Sequence, residues 1–275
     1  MKTKIRTTLL AVTGFLFLFT MISCDSSTDP EIPEYQLVWS DEFNGQAGES
    51  PDSTKWTYDI GTGDNGWGNQ ELQYYTDRPE NVSLDGDGNL VITAIREAFG
   101  GQAFSSARIK TQGLFEQTYG RFEARIKLPY GPGLWPAFWL LGTDVSTIGW
   151  PQCGEIDIME YRGQQPYLVH STVHGPGYSG GGGVSKTYGF ENDRFDVDFH
   201  LFAVEWGEDY IRFYVDDEMF QELEPGDLSG EWVFDNSFFM ILNVAVGGNY
   251  VGFPTSETPF PQKMYIDYVR VYKAL

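Results

Sequence analysis

The amino-acid sequence predicts an all-β protein, a sandwich of two antiparallel sheets, and three observations carry that prediction. Across residues 35–275, short runs rich in β-branched and aromatic residues alternate with clusters of turn residues. No segment keeps the 3.6-residue apolar spacing of a long amphipathic helix. No heptad and no 20–50-residue repeat divides the roughly 240 residues concerned, a length that a single all-β domain reaches. Strands without helices bury their apolar faces by packing sheet on sheet.

The elements follow in order. The turn Asp85-Gly86-Asp87-Gly88-Asn89 launches a strand over residues 90–95. Residues 121–128 alternate cleanly, with Phe122, Ala124, Ile126 and Leu128 on one face and Arg121, Glu123, Arg125 and Lys127 on the other. Residues 199–206 and 210–215 flank Gly207-Glu208-Asp209 and predict a hairpin. Residues 238–246 and 264–272 supply the last strands.

The most informative run is Gly154-Glu155-Ile156-Asp157-Ile158-Met159-Glu160. Alternation points Ile156 and Ile158 to one face and Glu155 and Asp157 to the other. Glu160 is one residue out of step, and in strict alternation it would join the isoleucines in the core. Burying an unpaired polar group costs roughly 2–7 kcal/mol, and more if it is charged. One extra residue absorbed as a β-bulge near Ile158 and Met159 returns Glu160 to the acidic face.

Four effective positions along a strand separate Cα atoms by about 13 Å. Side chains reaching inward on a concave sheet bring the carboxylates to about 5 Å, the spacing at which one attacks a glycosidic carbon and the other acts as acid and base. Three close acids do not all ionise cheaply, so one keeps its proton near neutral pH, as a general acid must. A half-buried strand with a solvated polar face is the plainer alternative. It leaves three acids where Thr or Lys would relieve the repulsion.

The acidic run resembles the active-site strand of glycoside hydrolase family 16, in the bulged form of its laminarinases (endo-β-1,3-glucanases). The likeness continues in residues 39–43, 65–76, 133–140, 173–178, 242–249 and 265–272. It implies a β-jelly roll with the acidic strand on the concave face, Glu155 as nucleophile, Asp157 as its support and Glu160 as acid/base. It also implies a cleft in which Trp135 and Trp139 stack on sugar rings beside the scissile bond, and Trp67 and Asn69 contact the non-reducing side. Arg108 and Asn243 would bind hydroxyls, and His174 would tune Glu160. His170 and Thr172 share a strand face with His174, while His200 reads as structural. The glycine-rich residues 180–183 form a loop that either closes over substrate or is merely long. Family members often carry a structural Ca²⁺, and the matching positions are the Glu42 and Gly88 carbonyls and the Asp267 side chain; a turn-facing or salt-bridged Asp267 is the alternative. No cofactor is required for the chemistry.

Residues 1–23 read as a processing signal: Lys2, Lys4 and Arg6, then an apolar stretch shorter than the ~20 residues that span a bilayer. Ser23-Cys24 resembles a bacterial lipobox, with Met21 where Leu is usual, so that Cys24 carries lipid and the chain is exported and membrane-anchored. A plain secretory peptide is the alternative. Residues 24–34 suit a flexible tether, and residues 35–275 the catalytic domain. Loss of the three leader cations takes the net charge from −21 to −24, which disfavours nucleic acid, anionic lipid and sulfated polymers. With Cys24 acylated, Cys153 has no partner and reads as a small buried hydrophobe. The expected partner is a β-glucan polysaccharide, met by a monomer. Mixed-linkage glucan, a galactan such as agar or carrageenan, and glucan binding without turnover are the competing functions.

Overall fold

The computed structural model describes residues 34–275; the leader, Cys24 and nearly all of the tether lie outside the described residues. In chain order the strands are β1 (Tyr35–Asp41), β2 (Thr57–Tyr58), β3 (Gln73–Tyr75), β4 (Val82–Leu84), β5 (Leu90–Phe99), β6 (Gln102–Ser106), β7 (Arg108–Lys110), β8 (Gly120–Lys127), β9 (Leu134–Gly142), β10 (Glu155–Tyr161), β11 (Leu168–His174), β12 (Val184–Gly189), β13 (His200–Trp206), β14 (Ile211–Val215), β15 (Glu218–Leu223), β16 (Phe238–Val246) and β17 (Gln262–Ala274). The one α-helix among the described residues is the single turn Val145–Ile148.

Two sheets form. The seven-stranded sheet runs β12-β11-β10-β9-β16-β7-β2. The ten-stranded sheet runs β15-β14-β13-β8-β17-β5-β6-β3, with β1 added to β17 and β4 to β5. The expected hairpin is β13 against β14, and the alternating run is β8, which buries Phe122, Ala124, Ile126 and the following Leu128. These side chains meet Phe138, Leu140, Ile156, Ile158, Leu242 and Val244 of the other sheet in one core. Burial of apolar surface at roughly 25 cal/mol per Å² is what holds the layers together.

One ladder corrects the antiparallel expectation: β3 runs parallel to β6. Parallel neighbours need a long crossover, and the chain supplies one by passing through β4 and β5 between them.

Cys153 lies in a small second cluster with Leu141, Phe239 and Ile241. Burial, with Glu155 and Asp144 nearby, pushes its thiol up to about 11, so it packs as an inert hydrophobe.

Candidate active site

The bulge sits where the sequence requires it. Against β11, Asp157 pairs with Thr172 and Glu160 with His170, so Ile158 and Met159 of β10 together oppose the single Ser171. Against β9, Asp157 pairs with Trp139 and Met159 with Phe138. Ile156, Ile158 and Met159 all turn into the core, and Glu155, Asp157 and Glu160 share the outer face of the seven-stranded sheet.

The acids are enclosed by neighbouring strands. Glu160 Oε1 accepts the Trp135 indole N–H at 3.1 Å, and its Oε2 accepts the Thr172 hydroxyl at 3.2 Å. His174 Nε2 stands 3.2 Å from Asp157 Oδ2 and 3.7 Å from Glu155 Oε1. Burial pushes all three carboxyls above their usual range. Asp157 repulsion adds to the rise at Glu155, and Glu160 repulsion to that at Asp157. The cluster therefore holds fewer negative charges than carboxyls, and a protonated acid next to an ionised one is the arrangement that acid–base chemistry uses.

Beside this cluster the expected cleft residues assemble into a wall. The Trp139 indole N–H donates to Asn243 Oδ1 at 2.8 Å, and Asn243 Nδ2 donates to the Tyr75 hydroxyl at 3.3 Å. Tyr75 in turn donates to Glu71 Oε2 at 3.2 Å, which also accepts from Gln73 Nε2 at 2.6 Å. Arg108 lies between two indoles, 4.7 Å from the Trp67 ring and 4.8 Å from that of Trp139, and pairs with Asp59 at 2.8 Å. Asn243 is thus committed through both amide atoms and orients Trp139.

Trp67 and Asn69 reach the wall on the turn Gly66–Gln70. Trp67 (φ 55°) and Gln70 (φ 59°) are left-handed non-glycine residues, a strain of about 1–3 kcal/mol each. A Cβ on Gly66 would lie 2.5 Å from the Glu71 backbone nitrogen, so glycine is required there. The Asn69 carbonyl accepts from the Asn249 N–H at 2.8 Å, tying this turn to the loop after β16.

Several cleft residues escape a reading of local sequence. Glu71 and Tyr75 lie inside the 65–76 motif, but only the fold shows that they support Asn243. Tyr250 packs on Trp135 at 4.9 Å between ring centroids, and nothing in its local pattern signals this. Asp59 pairs Arg108 from a distant loop.

The histidines divide. His174 joins the acids, and Gly183 packs on it so closely that a Cβ would fall 2.4 Å from its Cε1. His170 contacts the Thr187 hydroxyl at 2.9 Å, and burial together with the Arg162 charge lowers its pKa to about 4. His200 pairs with Asp216 at 2.8 Å between Phe190 and Phe195, a structural setting.

The expected calcium positions lie at a different corner, where Asp267 is the extra residue between Ile266 and Tyr268 in the pairing of β17 with β8. Extending the registers sets Glu42, just past β1, and Gly88, in the turn before β5, opposite Tyr268, the next residue along. In the described turns and loops no backbone N–H donates to either carbonyl, which leaves both free as hard oxygen ligands. Asp267 Oδ2 accepts from Arg125 at 2.6 Å, so Oδ1 is the oxygen left for a cation. Asp267 is thus the salt-bridged acid of the alternative reading, and the two carbonyls are oxygen donors of the kind that Ca²⁺ takes.

The chain resembles known proteins along most of its length. Residues 64–270 match the family model described as glycosyl hydrolases family 16. It is 42% identical to a β-glucanase of Rhodothermus marinus, over 95% of this chain and 94% of that protein. It is also 42% identical to the clotting factor G alpha subunit of Tachypleus tridentatus, covering 88% of this chain but only about a third of that protein. The laminarinase catalytic domain of Thermotoga maritima superposes with a TM-score of 0.83 at 47% identity, covering 88% of this chain and 99% of that domain. Most of the chain matches one family model, and its two-sheet sandwich is the β-jelly roll of those relatives, with three acids on one sheet face; the chain belongs to glycoside hydrolase family 16 and is a glycoside hydrolase.

Proposed function

We propose that the protein cuts β-1,3-glucan at internal positions by a retaining double displacement. Glu155 attacks the anomeric carbon as the glycosidic C–O bond breaks, and Glu160 gives its proton to the departing oxygen. Water then attacks the same carbon, passing a proton to Glu160 and releasing Glu155. Asp157 stands beside Glu155 and, with His174 against both, orients the nucleophile inside a buried cluster. Trp135 and Trp139 present flat apolar faces to sugar rings. The Arg108 charge lies between Trp67 and Trp139 beyond the acids.

The observation that carries this reading is the bulge, which places Glu155 and Glu160 on one face with Asp157 and His174 between them. The β-glucanase and laminarinase likenesses support the choice of substrate. Azide chemistry tests the roles. Glu160→Ala should lose about 10²–10⁴-fold on polysaccharide and less on a substrate with a good leaving group, and azide should restore turnover as a β-glycosyl azide. An α-azide would reverse the two glutamates. Laminarin should yield short oligosaccharides from the outset. Glucose as sole early product would refute internal cutting, and a more than tenfold kcat/KM preference (about 1.4 kcal/mol) for mixed-linkage glucan or a galactan would refute the substrate.

A further inference from the structure

Arg162 is an outlier among the arginines of this acidic chain. It follows β10 directly, two residues after Glu160, and is half-buried. Among the described residues it has no carboxylate within 4 Å, whereas every other arginine except Arg96 is ion-paired. With 39 acidic residues available, a guanidinium with no ion pair that is laid over a tyrosine ring has work other than salt-bridging.

Its surroundings show that work. The guanidinium sits 4.1 Å from the Tyr250 ring centroid, Tyr250 packs on Trp135 at 4.9 Å, and the Trp135 N–H donates to Glu160 Oε1. The loop that carries Tyr250 is pinned by Gly247 N–H to the Gly133 carbonyl at 2.7 Å and by Asn249 N–H to Asn69. Arg162 Nε, the Tyr250 hydroxyl and His170 Nε2 are buried without a hydrogen-bond partner. Such a concentration of unmatched polar atoms is tolerated where function demands it.

The groups facing Glu160 can be enumerated. Its own strand contributes Asp157 and Glu155, and β11 contributes His170 opposite, Thr172 and His174. β9 contributes Trp135, and the loop after β16 contributes Tyr250. His170 is neutral above about pH 4, so on this flank of Glu160 Arg162 is the permanent cation.

We infer that Arg162 is a positioning residue for the acid/base: clamped over Tyr250, it holds the Trp135 N–H on Glu160, and its charge sets the pH at which Glu160 parts with its proton. This rests on the acid/base role proposed above for Glu160. The cation favours the carboxylate form, as does the indole hydrogen bond, so both oppose the upward push of burial.

The test is the pH profile of kcat/KM on laminarin, whose alkaline limb reports loss of the Glu160 proton. Arg162→Gln should move that limb upward by about one pH unit, since the carboxylate loses a neighbouring cation. Arg162→Lys keeps the charge and should restore the limb to within about 0.3 unit. KM should stay within about twofold of wild type in both variants. A lower Tm with an unmoved limb would reduce Arg162 to a structural residue, and a raised KM with an unmoved limb would make it a substrate contact; either result overturns the inference. If Arg162→Gln does not fold, Tyr250→Leu decides: a raised limb supports the inference and an unmoved one refutes it. Glu160→Ala on an activated aryl substrate separates the two readings. If its alkaline limb persists, the acid/base assignment fails; if the limb vanishes while Arg162→Gln leaves the wild-type limb in place, only the positioning role fails.

Discussion

The outer faces of the two sheets handle charge in opposite ways. On the ten-stranded sheet, Arg121 bridges Glu123 (2.8 Å), Glu205 (3.1 Å) and Asp217 (2.9 Å), Arg212 pairs with Glu222, and Arg270 with Glu42. The register puts Arg121 opposite Glu205 and Glu123 opposite Arg270, so opposite signs meet across the strands. On the seven-stranded sheet, Glu155, Asp157 and Glu160 crowd one strand, with His174 and Arg162 as neighbours. The first arrangement neutralises charge and stabilises the sheet. The second concentrates like charge in a buried place at a cost to stability, and the only return is chemistry.

Three substitutions would break or sharpen this contrast. The largest effect should come from Glu155→Gln, which leaves no nucleophile: kcat on laminarin should fall by about 10³-fold or more, with Tm at neutral pH unchanged or raised. A kcat within tenfold of wild type would remove Glu155 from the mechanism. Next, Arg121→Ala should destabilise the domain by about 3 kcal/mol, or some 6–12 °C in Tm, because three carboxylates lose their cation. Its kcat at 25 °C should stay close to wild type, and a loss of activity matching the loss of Glu155 would show that the two faces are not independent.

The smallest effect concerns Asp157→Asn and depends on pH. The folded-state pKa of Asp157 is raised above its unfolded value near 3.9. The folded state then binds the extra proton between those two values, so stability falls as pH rises through that window. Removing the acid should raise Tm by about 2–4 °C at pH 8, with the gain vanishing below about pH 4, while activity falls. Calorimetry at both pH values checks the sign; a gain that grows on acidification would contradict burial and repulsion as the cause.

The legible part of the fold is the part that local chemistry decides. Residues 121–128 declare their faces because each apolar side chain is followed by a charged one, and the 199–215 hairpin is marked by its Gly-Glu-Asp turn. The bulge is legible because Glu160 has no affordable place among Ile156 and Ile158. The parallel pairing of β3 with β6 is not legible, since short edge strands choose partners by what the rest of the chain leaves open. In the site, the acids announce themselves by clustering within one strand. Glu71, Tyr75, Tyr250 and Arg162 act through partners far away in sequence: Tyr75 meets Asn243, and Tyr250 meets Trp135. Their neighbours in sequence give no sign of this.

The bulge also bears on which kinds of change the gene tolerates. Upstream of Met159 the strand is read in one frame, even against odd, and downstream in the other, so its meaning depends on a count as well as on composition. Exchanging Met159 for another apolar residue of similar volume leaves both frames intact. Deleting Ile158 or Met159 would remove the bulge and merge the frames, and plain alternation would then keep Glu160 on the acidic face and Tyr161 in the core. The common face of the three acids therefore survives loss of the very residue that makes the bulge, and what changes is the spacing of Glu160 along the strand.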